Sequence, residues 1–307
     1  MSALAVGIDI GGTKIAAGLV DRSGTVVARL DAPTPASAGG AQVVATAAAL
    51  ALRLTAGHDV QAVGVGSAGV IDPVHRRVIA ATDSVVGWAG TELGELLEQA
   101  LGMPVVTDND GHAHGVGEAF AGAGRGYGTV LVAGVGTGIG GAVVVNGIPQ
   151  TGAHWAAGHV GHIPVAAAAG LPCPCGKSGH LEAVASGTGL WQLYLRKGGR
   201  PEARDARAVV ARAETDPLAH DAVVESATAL GEGLGGLVNV IDPDVVVIAG
   251  GMRNAGALWW SALEAGLRQT VLPLLQEVLL VRARLGDDAA IIGAAKRAFD
   301  ATEKPHD

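Results

Sequence analysis

Apolar positions in this chain fall into short continuous runs more often than into alternating ones. Residues 3–8 (ALAVGI) and 15–20 (IAAGLV) are such runs, the pattern of strands buried on both faces. They are joined by Asp9-Ile10-Gly11-Gly12-Thr13-Lys14, and Asp21-Arg22-Ser23-Gly24 supplies the next turn. The layout returns at Thr129–Val135 and Ala142–Val145, joined by Gly136-Thr137-Gly138-Ile139-Gly140-Gly141 and followed by Asn146-Gly147. This predicts an internal repeat of strand, Gly-rich loop and strand near the start of each half. A Pro/Ala/Gly stretch at 33–40 precedes an Ala-rich helix near Ala41–Ala56. A strand over Val60–Gly66 leads into Ser67-Ala68-Gly69. Thr91–Leu101 reads as helix, and Pro104–Thr107 as a short strand ending at Asp108-Asn109-Asp110. Ala183–Lys197 and Asp216–Val240 are predicted helical, and Val245–Ala249 is a buried strand ending in Gly250-Gly251. A last helix is expected over Ala289–Ala301, with the final six residues frayed. Strands alternating with helices predict an α/β protein with helices covering a sheet. The boundary between halves is placed near Glu118–Gly128, where the Gly-rich AGAGRGYG precedes the repeated unit.

Composition narrows the class. At 307 residues the chain suits about two domains and a sizeable core. Hydrophobic residues make up 49%, but aromatics only 3%, so Ala, Val, Leu and Gly must fill the interior. No run reaches the ~18 uncharged apolar residues of a membrane span, and residues 2–8 lack the charged start of a signal peptide. A net charge of −8 argues against a nucleic-acid partner held through phosphates. Two cysteines without a secretory signal fit a reducing cytosol, and a soluble cytoplasmic protein is expected.

The stretch His154–Glu182 holds both cysteines, four of the ten histidines and almost no charge. Cys173 and Cys175 are one residue apart, with His162 and His180 on either side. Thiolate and imidazole are zinc's preferred ligands, and four of them suit a closed tetrahedral site. The spacing CxC is not the common zinc spacing; the two flanking histidines carry the metal reading. An ion there would fix the loop and hold His159 and Glu182 in place.

The Gly-rich turns offer a second chemistry. Turns without side chains let consecutive backbone N–H groups approach a phosphate, although tight Gly-rich hairpins form without any ligand. Two other nucleotide motifs fail. A Walker loop ending in Gly176-Lys177-Ser178 would need glycine at position 171, which is Leu171. A dinucleotide fingerprint needs its glycines to lead into a helix, whereas Gly136–Gly141 leads into AVVV. Asp9 ends an apolar strand, where it could hold a Mg²⁺-bound water facing phosphates. Thr13 and Lys14 could contact phosphate oxygens. Asp110, beside Asn109 and read as ending a strand, could take a proton from a hydroxyl as general base.

Together these pieces resemble the ROK sugar kinases, within the actin-like/hexokinase-like ATPase superfamily, over essentially the whole length. The resemblance rests on Asp9–Lys14, Asn109-Asp110, Gly136–Gly141, Gly158-His159-Val160-Gly161-His162 and Cys173–Glu182, in the family's order. It implies a two-lobed actin-like ATPase fold, each lobe a ribonuclease-H-like mixed sheet flanked by helices, closing on a sugar. The expected lobes are 1–118 plus 289–307, and 119–288 with the zinc loop, the C-terminal helix packing on the first. It implies ATP, Mg²⁺ and a structural zinc held by His162, Cys173, Cys175 and His180. Asp110 would be the catalytic base, with Asn109, His159, His162 and Glu182 at the sugar. Asp9, Gly11, Gly12, Thr13, Lys14, Gly136, Thr137, Gly138, Gly250 and Gly251 would form the nucleotide and phosphate set. A homodimer is also implied.

Three departures matter. His180 stands where the family's third zinc cysteine is usual, Gly111-His112 replaces a more common Ala and Asn, and His159 replaces a Glu that many members direct at sugar hydroxyls. Bacterial N-acetylmannosamine kinases look similar at that last position, so the expected reaction is phosphorylation of the 6-hydroxyl of an N-acylhexosamine, N-acetylmannosamine first. The alternatives are a glucokinase or N-acetylglucosamine kinase and, more distantly, a non-catalytic ROK sugar-binding regulator. Regulators carry an N-terminal helix-turn-helix, for which a phosphate motif starting at Asp9 leaves no room. Retention of Asp9, Asn109 and Asp110 favours an enzyme.

Overall fold

The fold is described for residues 3–82 and 84–303 of a computed structural model. The first sheet has the order β3-β2-β1-β4-β7. Its strands are β1 (Leu4–Ile10), β2 (Lys14–Asp21), β3 (Val26–Pro33), β4 (Val60–Ser67) and β7 (Val105–Asn109), with α1 (Gly40–Thr55) between β3 and β4. A small antiparallel pair, β5 (Val70–Asp72) and β6 (Arg77–Ala80), and helix α2 (Leu93–Leu101) lie between β4 and β7 in the chain. β1, β2 and β3 pair antiparallel, whereas β1, β4 and β7 run parallel. Alternate residues of β1 therefore face opposite layers. Val6 and Ile8 join Leu19, Val43, Ala47 and Leu97 on the face covered by α1 and α2. Ala5, Ala16, Val20 and Ala62 pack instead against Ile291, Ile292, Ala295 and Phe299.

Those last residues belong to the C-terminal helix, α9. Before it come α3 (Asp110–Ala121), the second sheet and its helices. The second sheet has the order β10-β9-β8-β11-β12, built from β8 (Thr129–Val135), β9 (Ile139–Val145), β10 (Ile148–Pro149), β11 (Val245–Ala249) and β12 (Leu279–Arg282). The helices between β10 and β12 are α4 (Glu182–Ala185), α5 (Gly187–Arg196), α6 (Ala206–Val210), α7 (Pro217–Ile241) and α8 (Gly256–Thr270). The chain closes with α9 (Ala289–Glu303). Two mixed sheets, each flanked by helices, are the layered α/β architecture expected from the sequence.

α9 lies on the first sheet and on α3 at backbone distance. A Cβ at Gly64 in β4 would sit 1.8 Å from the Ala294 carbonyl oxygen, and one at Gly293 would sit 1.8 Å from that of Ala113. Only glycine permits this approach. Glu118, fully buried in α3, anchors the chain just before α9. Its carboxylate accepts from the backbone N–H of Ala123 (2.8 Å), Arg284 (3.1 Å) and Leu285 (2.9 Å).

Several elements differ from the sequence reading. α3 starts at Asp110, which therefore opens a helix, and Asn109, not Asp110, is the last strand residue. Its glycines and histidines hide a helix whose packing overrides its low propensity. Ile139–Gly141, read as loop, already belongs to β9. The single helix expected over Ala183–Lys197 breaks at Ser186, where the backbone is extended and the side-chain Oγ caps α5 by accepting from Gly189 N–H at 2.9 Å. β3, β12 and α8 carried no recognised signal, since β3 and β12 are half-exposed edge strands. Thr302 and Glu303 continue α9; residues 304–307, the rest of the expected frayed end, lie outside the described residues.

By compactness the chain forms two units, one of Met1–Gly128, Ala142–Gly158 and Arg284–Asp307, the other of Thr129–Gly141 and His159–Ala283. Among the described residues no helix is long and apolar enough to cross a membrane.

Candidate active site and metal centre

In the first unit, the β1–β2 turn and the β7–α3 junction hold the candidate chemistry. β1 pairs Asp9 with Gly66 of β4, and β4 pairs Ser67 with Asn109 of β7. Parallel pairing thus brings Asp9, the Ser67–Gly69 loop and Asn109 to the same C-terminal edge, where ligands of parallel sheets bind. Asn109 caps α3, its Oδ1 accepting from Gly111 N–H (2.9 Å) and His112 N–H (3.3 Å). Its Nδ2 donates to Gly69 O and to Asp110 Oδ1, both at 2.8 Å. Asp110 Oδ1 also accepts from its neighbour Gly111 N–H at 2.8 Å. Burial raises the Asp110 pKa, while the Gly111 and Asn109 bonds and the imidazoles of His114 and His112 oppose the rise. Asp9 is pushed up to about 7, first by burial and then by the Asp110 carboxylate, with Lys14 and Arg29 pulling it down. His112 is buried, with Nε2 2.8 Å from the Ala157 carbonyl oxygen.

The turn Gly11–Lys14 closes through Gly11 N–H to Lys14 O at 3.0 Å. Thr34, which the sequence did not single out, holds it: its hydroxyl donates to Gly11 O at 2.7 Å and its N–H to Thr13 O at 3.0 Å. Lys14 Nζ lies 3.6 Å from Asp287 Oδ2 and 3.9 Å from Asp31 Oδ1. The side chain is half exposed, so these pairs add little stability.

In the second unit, the ligand atoms of His162, Cys173, Cys175 and His180 all lie within 4.8 Å of one another. Cys173 Sγ is 3.6 Å from His162 Nδ1, and Cys175 Sγ is 3.2 Å from His180 Nδ1. The Pro/Gly-rich loop folds back on itself to achieve this, with Cys173 N–H donating to Lys177 O and Gly179 N–H to Leu171 O. Two soft sulfurs and two imidazole nitrogens at this spacing fit a tetrahedral Zn²⁺. His159 is exposed and stacks on His162, with ring centroids 6.0 Å apart. Glu182, at the start of α4, accepts from Ile139 N–H at 2.6 Å through Oε2.

Gly136 and Thr137 of the β8–β9 turn and Gly251 after β11 line a cavity of about 570 Å³. Its other walls are Gly187, Thr188 and Trp191 of α5, Arg204–Arg207 and Met252. Gly138 and Gly250 do not line it; Gly138 sits against Glu182, and a Cβ at Gly250 would meet Val135 O at 2.4 Å. The α5 and α6 residues were missed. The available signal was Ser186-Gly187-Thr188-Gly189, an N-cap followed by small residues that repeats the Gly-Thr-Gly of the β8–β9 turn.

The ROK family model matches residues 5–300. A glucokinase from Halalkalibacterium halodurans is 33% identical, over 94% of this chain and 92% of that protein. An N-acetyl-D-glucosamine kinase from Erwinia tasmaniensis is 31% identical, over 94% and 97%. The ROK hexokinase from Thermus thermophilus superposes with a TM-score of 0.87 at 34% identity, covering 98% of this chain and 99% of its own. The ROK glucokinase from Streptomyces griseus, solved with glucose and AMPPNP, gives 0.80 at 32%, over 97% and 99%. With one family model spanning nearly the whole chain and the fold shared end to end with these kinases, the protein belongs to the ROK family.

Proposed function

We propose that this protein is an ATP-dependent kinase that phosphorylates the 6-hydroxyl of a hexose, with glucose the first candidate. The observation that carries the reading is Asp110, a partly buried carboxyl with a raised pKa, oriented by Asn109 at the mouth of the first sheet. A base of raised pKa accepts a proton more readily near neutral pH. The sugar oxygen attacks the γ-phosphorus, its proton passes to Asp110, and the bond to the β–γ bridging oxygen breaks to leave ADP. In the first unit the backbone N–H groups of Gly11-Gly12-Thr13 suit phosphate oxygens, with Lys14 adding positive charge, and in the second unit those of Gly136-Thr137-Gly138 do the same. The cavity lined by Gly187, Thr188 and Trp191 receives the nucleoside end.

Asp9 is the residue for magnesium. A carboxyl kept partly neutral by burial and a neighbouring carboxylate is a group that a cation would relieve. When bound, the ion neutralises phosphate charge. Zinc at His162, Cys173, Cys175 and His180 is structural and holds the loop that presents His159 and His162.

The sequence pointed to N-acetylmannosamine through His159. Glucokinases, a hexokinase and an N-acetylglucosamine kinase are among the relatives above 30% identity, which favours the alternative reading over that one. His159 keeps the manno reading as a second, because its ring can donate as well as accept where a carboxylate only accepts. A coupled ADP-release assay over glucose, N-acetylglucosamine, mannose and N-acetylmannosamine tests both. The highest kcat/KM is expected for glucose; release with none of the four sugars overturns the kinase reading. His159→Glu should then raise the glucose ratio further, and an unchanged ratio removes His159 from selection.

A further inference from the structure

We infer that Glu182 and Gly161 make the metal loop a brace for the Gly136-Thr137-Gly138 turn, so that nucleotide affinity depends on the metal centre before any sugar binds. This deepens the kinase reading above and rests on it. Ile139 follows that turn directly, and its N–H and its carbonyl are each met by a residue close in sequence to a candidate metal ligand. Its N–H is taken by Glu182 Oε2 at 2.6 Å, two residues after His180. Its carbonyl side is covered by Gly161, the neighbour of His162, where a Cβ would come within 2.2 Å of Ile139 O. Gly138 is equally close, since a Cβ there would meet Glu182 Oε2 at 2.4 Å. The other carboxylate oxygen, Oε1, is 4.0 Å from Cys173 Sγ. Glu182 therefore spans the distance between a metal-ligating sulfur and the turn.

The turn has no slack to absorb a movement of Ile139. Gly136 N–H donates to Gly138 O at 2.9 Å, and Gly136 O accepts from Gly187 N–H at 2.7 Å. Gly136, Thr137 and Gly187 are themselves walls of the cavity assigned to the nucleotide. Releasing His162 and His180 from the metal loosens both grips on Ile139, and with them the cavity wall. Glu182 is on this account a positioning residue for the turn, whatever contact it also makes with sugar.

The test is ADP affinity with no sugar present, by calorimetry and by tryptophan fluorescence, since Trp191 lines the cavity. Glu182→Ala and chelator-stripped wild type should each bind ADP about tenfold more weakly, the scale of losing one charge-assisted hydrogen bond. Glu182→Gln, which keeps an acceptor oxygen of the same shape, should stay within about threefold. Gly161→Ala should weaken ADP while retaining about one zinc per chain. If Glu182→Ala does not fold, Gly161→Ala and the stripped wild type decide. ADP affinity unchanged in these proteins, with only the sugar KM raised, overturns the inference while leaving the kinase reading intact. Wild type that binds no ADP at all sinks the kinase reading, and this inference with it.

Discussion

Two carboxyls at the edge of the first sheet carry opposite demands, and both are measurable. Asp110→Asn keeps the shape at the start of α3 but removes the base. Turnover should fall by roughly 10²–10⁴, while sugar affinity in calorimetry changes far less; near-normal turnover would move the base elsewhere. Asp9, raised from 3.8 to about 7, holds a proton in the folded chain that the unfolded chain has lost. Its contribution to stability is therefore largest below about pH 4 and falls as pH rises through 7. Asp110 shifts in the same direction. Catalysis runs the other way, because the proposed base must be deprotonated, so kcat should rise with pH as Asp110 loses its proton. Asp9→Asn should flatten that stability slope and raise Tm at pH 8 by a few degrees while abolishing turnover. A melting profile with the wild-type pH slope would contradict the assignment.

At the scale of elements, α9 is decisive for the first unit because it meets β4 and α3 at backbone distance as well as through its side chains. Gly64→Ala places a methyl 1.8 Å from the Ala294 carbonyl oxygen, which no side-chain rotation relieves. The helix has to lift from the sheet, at a cost of about 1–3 kcal/mol or more. Urea unfolding should show this as a lower midpoint with little change in slope; an unchanged midpoint would mean α9 is not seated as described. Ala-rich composition is thus part of the architecture, since small residues on α3, α9 and the sheet let three layers meet with few aromatics.

For the whole molecule, the proposed metal at His162, Cys173, Cys175 and His180 would make binding and folding one free energy. Purified protein should carry about one zinc per chain. Cys175→Ala should lower both metal content and Tm, because ligand binding to the folded state alone stabilises it by mass action. Chelation of wild type should do the same, reversibly on returning zinc. Metal-free wild type with unchanged Tm and turnover would defeat the structural role.

The sequence by itself determined the α/β class, the two Gly-rich turns, the four His and Cys side chains that cluster as a candidate metal site and the Asn109-Asp110 pair. Each of these depends on residue type at short spacing: apolar runs for buried strands, glycine where a turn needs it, soft donors within a few residues of one another. It misread Asp110 as the end of a strand, because α3 is rich in glycine and histidine, and its helix is supported by close packing on α9 that local residue type does not reveal. It missed Thr34, Gly187, Thr188 and Trp191, which are ordinary residues until strand pairing and the break at Ser186 bring them to the turns. The grip of Glu182 and Gly161 on Ile139 was equally invisible, since those residues are 43 and 22 positions away from it in the chain. Such contacts are decided by which backbones come within hydrogen-bond distance, and only the tertiary structure sets that.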